Sequence, residues 1–132
     1  MFNHSPINSY DIDGVIFINN SIEGVYPGPN DIIITGRSFE EYVETISMLE
    51  KRNIFNKVFF NNLQFHEKTR ESSGMHKAQV LNKLKNIGIK INCHFEDDPI
   101  QKNIIEQNCG SWLNVIHLDH NLTEKENVRH EA

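Results

Sequence analysis

Asp31-Ile32-Ile33-Ile34-Thr35-Gly36-Arg37-Ser38-Phe39-Glu40-Glu41-Tyr42-Val43 switches from one periodicity to another within a single stretch. Asp31 to Thr35 is a β-branched run of strand length that stops at a turn residue, Gly36. Ser38 with Glu41 three residues later forms a capping box, and Phe39, Tyr42, Val43, Ile46 and Leu49 then recur at helical spacing. The reading is a strand that feeds a helix running from about Phe39 to Lys51.

The same alternation continues on both sides. Ile7 to Ile12, Lys57 to Phe60, Ile89 to Phe95 and Leu113 to Leu118 are further short apolar runs bounded by turn residues. Ahead of Ile89, Ala78, Leu81, Leu84 and Ile87 make a helical stripe, with Gly88 where a left-handed cap is wanted. Ahead of Leu113, Asp98 can cap a helix that starts at Pro99, turns Ile100, Ile104 and Ile105 inward and ends before Gly110. Strands alternating with helices build right-handed crossovers and a parallel sheet that must be covered on both faces. The expected fold is a three-layer, Rossmann-like α/β domain with a five-stranded parallel sheet over residues 1–118, followed by a charged, solvated tail over 119–132. Gly14 to Asn30 departs from the alternation, because Pro27 and Pro29 disfavour helix there, so no helix longer than a turn is expected in it.

A chain of 132 residues is the size of one domain. Its 38% of apolar residues fall in short runs, none near the roughly 20 of a membrane span, so no membrane partner is expected. The N-terminus lacks a secretory pattern, and a cytoplasmic setting is the expectation. Cys93 and Cys109 lack metal or redox spacing and read as core thiols. A formal net charge of −5 argues against gripping nucleic acid through the overall field.

Ligands of open parallel α/β sheets bind beyond the carboxyl ends of the strands. The residues there are Asp11-Ile12-Asp13-Gly14-Val15, Thr35-Gly36-Arg37, Lys77 on the helix after the third strand, and Glu96-Asp97-Asp98. Carboxylates two apart leave a strand on the same side, and with Asp98 or Asp97 they offer hard oxygens suited to Mg²⁺. A carboxylate becomes a useful nucleophile toward phosphorus once metal and ammonium neutralise the phosphoryl oxygens. Lys77 can supply the ammonium, the Thr35 hydroxyl with nearby backbone N–H groups can hold the transferring oxygens, and Asp13 remains as acid and base. A calcium loop is excluded, since its sixth and twelfth positions, counted from Asp11, are Ile16 and Ile22 rather than Gly and Glu. A receiver-type phosphoacceptor would lie after a later strand.

In this order the clusters resemble the four motifs of the haloacid dehalogenase superfamily, over about Tyr10 to Leu118. The resemblance implies that Asp11 forms an aspartyl-phosphate, Asp13 is the general acid/base, Thr35 binds phosphate and Lys77 stabilises charge. It also implies a Mg²⁺ site on Asp11 and Asp13 completed by Asp98, with Asp97 as its neighbour or substitute. An acid at Asp13 points within the family to phosphatases rather than dehalogenases. The Asp97-Asp98 pair is similar to that of the phosphatase domain of polynucleotide kinase-phosphatases, which brings nucleotides or nucleic-acid ends in as substrates beside phosphoproteins. Two features depart from the pattern: Asn8 and Ser9 interrupt the first strand, and the first helix is missing.

Asn61 to Gly74 has room only for a loop, and Gly14 to Asn30 for a small flap, so an open site without a large cap is expected. Gly36 and Arg37 are further phosphate-binding candidates, Arg37 equally a helix-capping or surface residue. His66, Lys68, Arg70 and His76 are read as a positive rim for a large anionic substrate or as a solvated loop, and Lys68 as a rival of Lys77. His117 and His120 lack a third convincing zinc ligand. Two functions follow: an active phosphomonoesterase, or a catalytically weak module that binds a phosphorylated partner.

Overall fold

The computed structural model describes residues 5–123. Five strands, β1 (Ile7–Tyr10), β2 (Ile32–Ser38), β3 (Val58–Asn61), β4 (Ile91–Glu96) and β5 (Asn114–His117), alternate with helices α1 (Tyr42–Glu50), α2 (Arg70–Asn86) and α3 (Pro99–Cys109). All strand pairs are parallel, in the order β3-β2-β1-β4-β5. The α/β, Rossmann-like reading is therefore correct. The chain winds outward from β1 in both directions, so the carboxyl ends of β1 and β4 flank the point where ligands bind in such sheets.

Each face of the sheet carries its own apolar cluster. Ile34, Ala78, Leu81 and Ile105 pack together on the α2–α3 side, and Tyr10, Ile12, Ile33 and Leu49 on the α1 side. The Ser38–Glu41 capping box forms as expected. Gly88 takes the left-handed φ of 96° that ends α2, and the Asp98 carboxylate accepts from Ile100 N at 2.9 Å to start α3. The connection from Asp13 to Ile32 contains no helix, in keeping with its prolines. Among the described residues no helix is long and apolar enough to cross a membrane.

Three local expectations are corrected. Residues 39–41 form a 3₁₀ turn, and the α-helix begins only at Tyr42. Phe39, Tyr42 and Val43 face outward, and the buried residues of the helix are Thr45 and Leu49. Next, β2 continues through Gly36 and Arg37 to Ser38, so that tripeptide is strand rather than turn. Last, Asn61 to Gly74 is not all loop. It holds a 3₁₀ turn over Phe65–Glu67 and the first turn of α2, where Thr69 caps Ser72 N. Of the charged tail, residues 119–123 run back over the flap, with the Thr123 hydroxyl donating to Ile18 O at 2.6 Å. The rest of that tail, 124–132, lies outside the described residues.

Candidate active site

Asp11 leaves the end of β1, its backbone N–H held by Phe95 O on β4 at 3.1 Å, and its carboxylate is buried. On α2, Ser73 and Lys77 sit one turn apart and are both buried against the sheet. The Lys77 ammonium lies 3.0 Å from Asp11 Oδ2 and donates to Glu96 Oε1 at 2.8 Å and Gln101 Oε1 at 2.6 Å. Glu96 ends β4, and His94, two residues earlier on the same face, reaches Glu96 Oε1 through Nε2 at 3.1 Å. The other ring nitrogen of His94 lies 2.7 Å from Ser9 Oγ. An ionised Glu96 can only accept, so His94 carries its proton on Nε2 and Nδ1 accepts from the Ser9 hydroxyl. The polar residues in β1 thereby find their reason: Ser9 closes this buried chain, and Asn8 Oδ1 accepts from Cys93 N at 3.2 Å.

Burial alone would raise the Glu96 carboxyl, but Lys77 and His94 hold it below the ordinary carboxylate range. Burial likewise works against the Lys77 ammonium, while Asp11 and Glu96 keep it protonated above its usual range. Asp11 is pushed well up, by burial first, with Lys77 opposing and Glu96, Asp97 and Asp13 adding to the shift. One ammonium thus faces several carboxylates, and the site is short of positive charge. Ligand oxygens of Asp11, Glu96 and Asp97 lie within 4.8 Å of one another. An all-oxygen donor set of this kind fits a hard divalent cation such as Mg²⁺, which would relieve the deficit.

Gly14 builds one wall of this group. Its φ of 85° lies in the left-handed region, and a Cβ there would fall 1.9 Å from Asp97 Oδ2. Were Mg²⁺ held by this group, Gly14→Ala would displace the Asp97 carboxylate and weaken its binding by at least about tenfold, as loss of a group that orients a metal ligand does. Titration calorimetry checks this, and an unchanged affinity would remove Asp97 from the ligand set.

Two of the expected acidic ligands are engaged by arginines. Asp13 is forked by Arg37, at 2.9 and 2.8 Å, and Arg37 also donates to Thr45 Oγ1 at 3.0 Å. Asp98 accepts from Arg70 at 2.8 and 2.7 Å and from Gln101 Nε2 at 3.1 Å, besides capping α3. Thr35 is buried beside the site, with Oγ1 accepting from Arg37 N at 3.0 Å. Gly36 presses on Ser73, where a Cβ would come within 2.9 Å of that side chain. Lys68 is buried too, donating to Glu41 Oε2 at 2.8 Å, so it neither rivals Lys77 nor forms an open basic rim. His117 and His120 point Nε2 at the carbonyls of Asp97 and Gly14, 3.1 and 2.8 Å away, an arrangement for pinning loops.

Sequence reasoning left Glu96 without a role and missed Gln101 and His94. Both faces of β4 are covered, so alternation carries no signal there. The one clue lay in spacing: His94 and Glu96, two apart, put two titratable side chains on one face at the end of the strand.

Beside Asp13 opens a cleft of about 460 Å³ between the flap, the end of α1 and residues 122–123. Phe17, Ile18, Met48, Arg52 and Leu122 line it. Comparison with protein-family models gives no match, and neither a curated protein nor a solved structure matches the chain significantly.

Proposed function

We propose that the chain is a Mg²⁺-dependent phosphomonoesterase of haloacid dehalogenase type that works through an aspartyl-phosphate on Asp11. The observation that carries this reading is the buried Asp11–Lys77 pair, 3.0 Å apart, at the carboxyl end of the central strand. Asp11 attacks phosphorus, the bond to the ester oxygen breaks, and Asp13 gives that oxygen its proton. Water then attacks the acyl phosphate while Asp13 takes the proton back, releasing phosphate and restoring Asp11. Lys77, the Thr35 hydroxyl and backbone N–H groups balance the charge on the transferring oxygens. Asp11, Glu96 and Asp97 would hold Mg²⁺, which neutralises phosphoryl oxygens and so lowers the repulsion that the attacking carboxylate meets.

One observation favours the second reading, a module that binds a phosphorylated partner without turnover. Both oxygens of Asp13 are engaged by Arg37, which restrains the acid/base group. Phosphate release from p-nitrophenyl phosphate decides between them: turnover that needs Mg²⁺ is expected. Vanadate binding without turnover would establish the binding module instead. Sugar phosphates, nucleotides, phosphopeptides and 3′-phosphorylated oligonucleotides then define the substrate.

A further inference from the structure

We infer that the cleft beside Asp13 receives the alcohol part of the substrate and that Arg52 reads a second anionic group on it, a carboxylate or a phosphate. This rests on the phosphomonoesterase reading and adds the substrate class. The group that protonates the leaving oxygen must stand between phosphorus and leaving group. Asp13, with its side chain 44% exposed, is among the residues that line this cleft.

The cleft is pre-formed. His120 holds Gly14 O and Thr123 holds Ile18 O, so the flap wall is fixed from outside. About 460 Å³ lies within the range of small-molecule sites. Phe17, Ile18, Met48 and Leu122 supply apolar lining.

Arg52 supplies the charge. Its guanidinium lies over the Phe17 ring, 4.4 Å from the centroid, and has no carboxylate partner among the described residues. Arg37 and Arg70, by contrast, each fork a carboxylate. Stacking on an aromatic face orients a guanidinium while its edge N–H donors stay available, and their fork matches carboxylate or phosphate oxygens. A cation presented this way, in a cleft that the general acid also lines, suits a leaving group that carries its own negative charge.

The test uses matched pairs at constant ionic strength: 3-phosphoglycerate against glycerol 3-phosphate, and adenosine 3′,5′-bisphosphate against adenosine 5′-monophosphate. The readout is the ratio of kcat/KM within each pair. At least one pair is expected to favour the second anion by about tenfold to a hundredfold, the range of a charge-assisted contact. The carboxylate and phosphate arms identify which anion is read. Arg52→Gln should collapse that ratio toward one, and Arg52→Lys should restore part of it. Titration calorimetry of the same ligands on Asp11→Asn repeats the comparison without turnover. A ratio near one in the wild type, or one unchanged in Arg52→Gln, overturns the inference even where aryl phosphate is hydrolysed. Absent hydrolysis with a binding ratio that depends on Arg52 would instead overturn the enzymatic reading alone.

Discussion

Asp11→Asn is expected to lower Mg²⁺-dependent hydrolysis of p-nitrophenyl phosphate by at least about 10³-fold, the scale on which loss of a nucleophile acts. The amide cannot attack phosphorus and offers no anionic metal ligand. The fold should survive. Burial already pushes the Asp11 carboxyl toward its neutral form, and Lys77 keeps Glu96 and Gln101 as partners. A thermal midpoint within a few degrees of wild type, beside lost turnover, separates chemistry from unfolding. A near-wild-type rate, in a preparation shown free of other phosphatases, would exclude Asp11 as the nucleophile.

Lys77→Met should have the largest effect on stability. It removes the ammonium that faces two buried carboxylates, Asp11 and Glu96, and removing one partner from a buried ion pair costs about 3–5 kcal/mol. A fall of the thermal midpoint by about 10 °C or more follows for a chain of this size. The acid limb should change as well. Glu96 is held below the carboxylate range in the folded chain, so below its ordinary value near 4.5 the unfolded chain binds more protons. The stabilisation is therefore complete above that pH and is lost as pH falls. In Lys77→Met this part of the acid slope should shrink. Where the single variant fails to fold, Lys77→Met with Glu96→Gln removes the orphaned charge and should recover stability. An unchanged midpoint and acid slope would mean that Lys77 does not neutralise these carboxylates.

The order of strands and helices was legible because periods of 2 and 3.6, capping boxes and cap glycines are local signals. Local signals also set the errors. Phe39, Tyr42 and Val43 recur at helical spacing yet face outward, because the 3₁₀ turn over 39–41 and the packing of Thr45 and Leu49 leave no mark in the local pattern. Lys68 and Arg70 read as part of a positive rim or of a solvated loop, yet their carboxylate partners, Glu41 and Asp98, lie far along the chain. Pairing at that distance is invisible to any window of sequence.

The site divides in the same way. Asp11 and Lys77 could be read from the sequence because each directly follows a strand or its crossover, and parallel topology brings such positions to one edge. Which carboxylates join them could not. Asp97 and Asp98 are adjacent, and the cap of α3 with the Arg70 fork draws Asp98 away, while the bare Cα of Gly14 makes room for Asp97. Glu96 comes in because β4 ends beside β1 with that side chain turned toward Lys77. Sequence determined the fold and the pair at its centre, since both arise from periodicity and chain order. Only tertiary structure decided which carboxylates gather around that pair, since neighbouring residues point in directions that helix caps and long-range ion pairs select.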